Sequence, residues 1–152
     1  MVVFERKQYT VEKGTLGVEM AYFSFFTILI SMILIDGIWL GTMLKPLYVP
    51  KIGHLFAHSM SFLPAVFFYL LYAAALNIFV VLPALKNDSG YFHILLLGLL
   101  FGMVTYGTYD LTNQATLKNW PWMLTAIDMA WGSVLAAMVS LIATFGSRYF
   151  WQ

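Results

Sequence analysis

Residues 62–82 read FLPAVFFYLLYAAALNIFVVL, a run without a single charged side chain. At about 1.5 Å rise per residue, a helix of this length crosses the roughly 30 Å hydrocarbon core of a bilayer. Three further stretches of similar character surround it, residues 21–44, 93–113 and 123–145. The punctuation between them is that of helices. Lys45-Pro46 closes the first stretch, Pro64 falls in the first turn of the second, and Pro83 closes the second. The turn Lys86-Asn87-Asp88-Ser89-Gly90 precedes the third, Trp120-Pro121-Trp122 introduces the fourth, and Gly146-Ser147-Arg148 ends it. Proline just inside helix starts and glycine just past helix ends is the usual asymmetry. No stretch shows the ten-residue alternation of a barrel strand, and the runs exceed the apolar region of a signal peptide. The chain therefore reads as an all-α integral membrane protein, an antiparallel four-transmembrane-helix bundle.

Composition agrees. Of 152 residues, 61% are hydrophobic and 10% charged, against about 25% charged in a soluble domain. So few charges cannot cover the surface of so small a soluble fold, and the mean hydropathy is +0.81. A net charge of +1 without any basic run argues against a nucleic-acid partner. The chain has no cysteine, which excludes disulfides, thiolate metal sites and thiol nucleophiles. Residues 20–152 form one transmembrane domain. Residues 1–19 differ, collecting Glu5, Arg6, Lys7, Glu12, Lys13 and Glu19. They read as a native interfacial tail, an appended non-native segment, or translation from a start codon ahead of Met20. The balance of basic residues on the two sides reverses when this tail is discounted, so charge bias fixes no orientation.

The residues that carry chemistry are the carboxylates inside the spans, Asp36 in the first, Asp110 in the third and Asp128 in the fourth. Such a group costs at least about 2.5 kcal/mol near the bilayer centre, so it faces the bundle interior or a cavity. Counted from the span midpoints, the three lie about 5, 10 and 9 Å from the midplane, all toward the face carrying the first and third loops. Asp36-Gly-Ile-Trp39 and Asp128-Met-Ala-Trp131 repeat one pattern on antiparallel helices. Antiparallel running brings Trp131 level with Asp36 and Trp39 level with Asp128. The indole N–H only donates and an ionised carboxylate only accepts, so crossed Trp–Asp bonds are chemically matched. Around Asp110, Tyr106 and Asn113 or Gln114 share a helical face, and Thr105, Thr108, Tyr109 and Thr112 add polar groups. The candidate ligand-binding set is Asp36, Trp39, Tyr106, Asp110, Asn113, Asp128 and Trp131. The bland alternative is a buried polar network that only fixes helix register. Three like charges in a low-dielectric layer cannot all ionise together, which suits proton-linked binding, acid–base chemistry or the holding of a cation.

Other polar residues have simpler readings. Tyr48, Tyr91, Trp120, Trp122, Tyr149 and Trp151 flank the spans as an interfacial aromatic belt. Gly37/Gly41, Gly98/Gly102 and Gly132/Ala136 allow close helix approach, within one chain or between copies. Asn77 reads as an interhelical hydrogen-bonding residue. His54 and His58 have the i, i+4 spacing of two metal ligands, but no glutamate of a metalloprotease helix lies between them, and no metal site is assigned. His93 sits at the opposite interface. No phosphate loop, dinucleotide fingerprint or Ser-His-Asp set is present, so no cofactor and no catalytic residue is assigned.

The run Tyr106-Gly-Thr-Tyr-Asp110-Leu-Thr-Asn-Gln114-Ala-Thr-Leu-Lys118-Asn-Trp120-Pro121 is recognisable beside Asp128-Met-Ala-Trp131-Gly132. Together with Leu34-Ile-Asp36-Gly-Ile-Trp39-Leu-Gly41 and Phe68-Tyr-Leu-Leu-Tyr72, it resembles the small bacterial membrane proteins of domain-of-unknown-function family 2177. The likeness runs from Met20 to the C-terminus. It implies a multi-pass, four-helix protein of the bacterial inner membrane and no settled activity. It also implies a start close to the first span, which makes residues 1–19 unusual.

Three functions compete. The first is a binding or transport protein whose acidic, Trp-lined cavity takes a small cationic or amphipathic ligand, with proton coupling as one form. The second is an enzyme using the aspartates for acid–base chemistry on a lipid or isoprenoid-like substrate. The third is a structural or accessory membrane subunit. The expected partners are membrane lipid, the ligand, and a second copy, since four spans make a thin bundle for a permeation path.

Overall fold

The computed structural model describes residues 2–59 and 61–151, with side chains from Gly17 onward. The expectation for residues 1–19 therefore falls mostly outside the described side chains. Helix α1 (Val2–Met43) passes through a wide π-helical turn, Leu44–Tyr48, into the short α2 (Val49–Ile52). Helix α3 (Phe62–Leu76) continues through a second wide turn, Asn77–Val81, into α4 (Leu82–Lys86). Helices α5 (Tyr91–Thr116) and α6 (Trp122–Phe150) complete the bundle. Among the described residues, four helical stretches are long and apolar enough to cross a membrane: Gly17–Leu55, Phe62–Lys86, Tyr91–Thr116 and Trp122–Phe150.

The helices run past their sequence-expected limits for local reasons. Pro83 does not end the second span. The wide turn before it shifts the hydrogen-bond register, with the Leu82 N–H bonded to the Asn77 carbonyl, and absorbs the proline's missing donor. The first span likewise continues beyond Lys45-Pro46 because the Val49 N–H reaches the Leu44 carbonyl across a wide turn. Gly146 stays helical, and α6 continues because Ser147 is buried and Arg148 is tied across the bundle end. The Arg148 guanidinium pairs with Asp88 at 3.1 Å, donates to the Ser89 carbonyl at 2.7 Å, and lies 5.0 Å above the Tyr91 ring. Left-handed backbone appears in the two tight turns at Asp88 (φ 48°) and Asn119 (φ 59°), residue types that tolerate it.

Helix α6 is the most buried of the four spans. It packs most closely on α5 and next on α1, while α1 in turn carries α3. The α5–α6 seam depends on glycine. A Cβ on Gly98 would lie 2.6 Å from the Ala137 Cα, and one on Gly102 would lie 2.1 Å from the Gly132 carbonyl oxygen. Gly132 makes room for the Tyr106 ring, which a Cβ would meet at 2.1 Å. Without a hydrophobic driving force in lipid, such backbone approach supplies the van der Waals contact that holds helices together. Gly37 and Gly41 have nothing within 4 Å and face outward. Elsewhere the core is apolar, with Ile28, Met32, Leu76, Ile94, Leu135 and Val139 fully or almost fully enclosed. Asn77 is the expected interhelical residue: it accepts from the Ser24 hydroxyl at 2.8 Å and donates to the Ala21 carbonyl at 3.0 Å.

Gly102→Ala should destabilise the protein by about 1–3 kcal/mol, the range for overpacking a close contact, while Gly37→Ala should leave stability unchanged. Thermal unfolding of both variants in the same detergent checks this contrast.

Candidate functional site

The antiparallel contact of α1 and α6 converts the repeated Asp-x-x-Trp into a paired structure. The Trp131 indole donates to Asp36 Oδ1 at 3.0 Å, in line with their matched depths. The reciprocal bond is relayed instead of direct. Trp39 donates to the Tyr48 hydroxyl at 3.0 Å, and that hydroxyl donates to Asp128 Oδ1. The two indoles stack, with ring centroids 4.2 Å apart and planes 10° from parallel. Stacking of this kind is worth about 0.5–1.5 kcal/mol beyond the buried area.

Asp36 takes a second bond from α3, the Tyr69 hydroxyl donating to Oδ2 at 2.7 Å. Both of its oxygens are therefore satisfied. Asp128 has its donor in Tyr48, carried by the wide turn that follows α1. Asp110 differs from both. It is fully buried on α5, and neither carboxyl oxygen has a hydrogen-bond partner in the structure.

A cavity of about 400 Å³ joins these groups. Asp36, Trp39 and Leu40 of α1 line it with Tyr48, facing Phe68 and Tyr72 of α3. Thr105, Tyr106, Tyr109 and Asp110 of α5, with Asp128 and Trp131 of α6, close the other side. The Thr105 and Tyr72 hydroxyls lie 3.3 Å apart across it. The volume falls within the range of small-molecule sites, which are mainly apolar with a few placed polar groups.

Six of the seven sequence-chosen residues meet in this cavity: Asp36, Trp39, Tyr106, Asp110, Asp128 and Trp131. Asn113 does not line it. One turn beyond Asp110, α5 is committed to its own end: Leu117 N–H closes on the Asn113 carbonyl, and Gln114 donates to the Trp120 carbonyl at 3.1 Å. Trp120 is buried there, its indole donating to Thr125 at 3.1 Å, so it belongs to the α5–α6 turn and not to an interfacial belt. Tyr48 also leaves the expected belt for the cavity, whereas Tyr91, Trp122 and Tyr149 remain exposed. Tyr69 and Tyr72 supply contacts the sequence reading missed. Their signal was hydroxyl-bearing rings at i, i+3 in an otherwise apolar span. His54 and His58 are exposed, and among the described residues no three His, Asp or Glu side chains are grouped to hold a metal.

A family model described as "Predicted membrane protein (DUF2177)" matches residues 21–145. The chain belongs to this family. No curated protein and no solved structure matches it.

Double-mutant cycles separate the direct from the relayed bond. Trp131→Phe with Asp36→Asn should couple by about 1.5–3 kcal/mol, the worth of a bond to a charged group. Trp39→Phe with Asp128→Asn should couple by less than Tyr48→Phe with Asp128→Asn. Melting temperatures in detergent read all three cycles.

Proposed function

We propose that this member of the family is a multi-pass protein of the bacterial inner membrane that binds a small organic cation in the Asp110 cavity and moves it across or within the bilayer. The helical spans support that membrane, since the outer membrane is crossed by barrels. One observation carries the ligand: Asp110 is fully enclosed beside an open cavity, with no donor to either oxygen. Burying a carboxyl without a partner is costly. Asp36 and Asp128 already have theirs, which suits them to a framework role. A cation beside Asp110 offsets the cost.

The lining favours an organic cation over a metal ion. Tyr106, Tyr109, Tyr72 and Phe68 present aromatic rings to the cavity, and a cation over such a ring gains about 0.5–2 kcal/mol, more when desolvated. A strongly hydrated metal ion would need several oxygen ligands, and Asp110 offers one unpaired carboxyl. The same carboxyl holds either a proton or the cation, which is the chemistry of exchange. Transport coupled to a proton follows if the two alternate.

Tetramethylammonium should raise the melting temperature of the purified protein, and Asp110→Asn should weaken that binding by about tenfold or more, given about 1.5–3 kcal/mol for a charged contact. The Asn variant should keep its own melting temperature near that of the unaltered protein. Equal loss of stability and binding would instead assign Asp110 to the framework.

A further inference from the structure

The cavity is not sealed toward lipid. Every residue of α3 from Phe62 to Phe68 is exposed, and the helix first becomes buried at Tyr72 and Ala73. Its principal packing is on α1; it meets α5 through Tyr72, whose hydroxyl lies 3.3 Å from that of Thr105 and whose ring sits edge-on to Phe101, and the wide turn Asn77–Val81 beyond Tyr72 continues that contact. The first half of α3 therefore stands off from α5. On the two sides of that gap are Phe68 and Tyr109, which line the cavity and are 44% and 58% exposed. Asp110 is the next residue on α5, fully buried behind this aromatic mouth, its oxygens unpartnered. The mouth lies among the apolar outer residues Phe67, Leu71 and Leu111, and the count of about 10 Å from the midplane for Asp110 puts it within a hydrocarbon core roughly 30 Å thick.

We infer that the ligand is a single-chain amphipathic cation, an alkylammonium whose head sits against Asp110 and whose chain leaves between α3 and α5 into the bilayer. The inference rests on the reading of the Asp110 cavity as a cation site and adds the ligand's class and its route. A lateral mouth flanked by rings excludes hydrated ions, which would have to shed their water in hydrocarbon before reaching the carboxyl. An amphipath is already concentrated in the membrane and arrives with its head weakly hydrated. The opening is one interhelical gap, which suits one chain. At the cavity end, the Trp39–Trp131 stack and the Tyr48–Asp128 bond form the floor against which the head stops.

The test uses the full chain in lipid nanodiscs and a dodecyltrimethylammonium probe carrying a photoactivated diazirine on its chain. Labelled peptides are identified by mass spectrometry, with tetramethylammonium as competitor and as a separate probe of thermal stability. The expected result is label concentrated on Phe62–Leu71 and around Tyr109–Leu111, displaced by tetramethylammonium, lost in Asp110→Asn and kept in Asp110→Glu. Label spread evenly over other lipid-facing residues, such as Phe26 and Ile78, would overturn the lateral route. If tetramethylammonium still stabilises the protein through Asp110 in that case, the cation site stands and only the amphipath fails. If neither probe depends on Asp110, both readings fail. Should Asp110→Asn not fold, displacement by tetramethylammonium from the unaltered protein decides the matter alone.

Discussion

The Asp36 carboxylate lies within a membrane span and draws its donors from the chain. It takes one from Trp131 on α6 and one from Tyr69 on α3. Three helices therefore meet at one side chain of α1. For α3 the bond matters most, because the first half of that helix has little other reason to stay near the bundle. Its aromatic and aliphatic side chains are as content in lipid as against protein. The Tyr69–Asp36 bond thus sets how far α3 stands from α5, and with it the width of the mouth at Phe68 and Tyr109. The opposite half of the second span is held by different means, the Asn77 bonds to Ser24 and the Ala21 carbonyl. One end is fixed and the other is tethered.

The three aspartates divide the work. Asp36 is fully bonded and joins helices. Asp128 binds Tyr48 and so fixes the wide turn after α1, which closes the cavity from the loop side. Of the three, Asp110 alone is left without a partner, and it sits on α5, the helix packed most closely on α6. The glycine seam of Gly98, Gly102 and Gly132 presses α5 against α6 and so fixes the stretch of α5 that leads to Asp110. A group held unsatisfied by a stiff contact is preorganised for something that arrives from outside.

Much of this was legible in the sequence because membranes impose few solutions. An uncharged run such as 62–82 has only the helix to satisfy its backbone, and three carboxylates in such runs had to face inward. Spacing and chain direction put Trp131 level with Asp36, and the packing of α1 on α6 completes the bond. What the sequence hid were effects of azimuth and of side-chain reach. Depth placed Trp39 level with Asp128, but nothing in the spacing said that Tyr48 would fold back between them from beyond Pro46. Asn113 shares a face with Asp110 on an endless helix, yet α5 ends a turn later and that turn serves the link to α6. Pro83 and Gly146 read as stops because local propensity says so, and a register shift and a tied Arg148 overrode them.

Asp110 is the unpaired carboxyl that a cation would complete. A crystal structure grown from a lipid mesophase with an alkyltrimethylammonium present tests this most directly. The expected map has the ammonium head in the cavity beside Asp110, within contact of the Tyr106 and Tyr109 rings, and chain density leaving past Phe68. An Asp110 hydrogen-bonded to protein groups, in a collapsed cavity without a ligand, would contradict it.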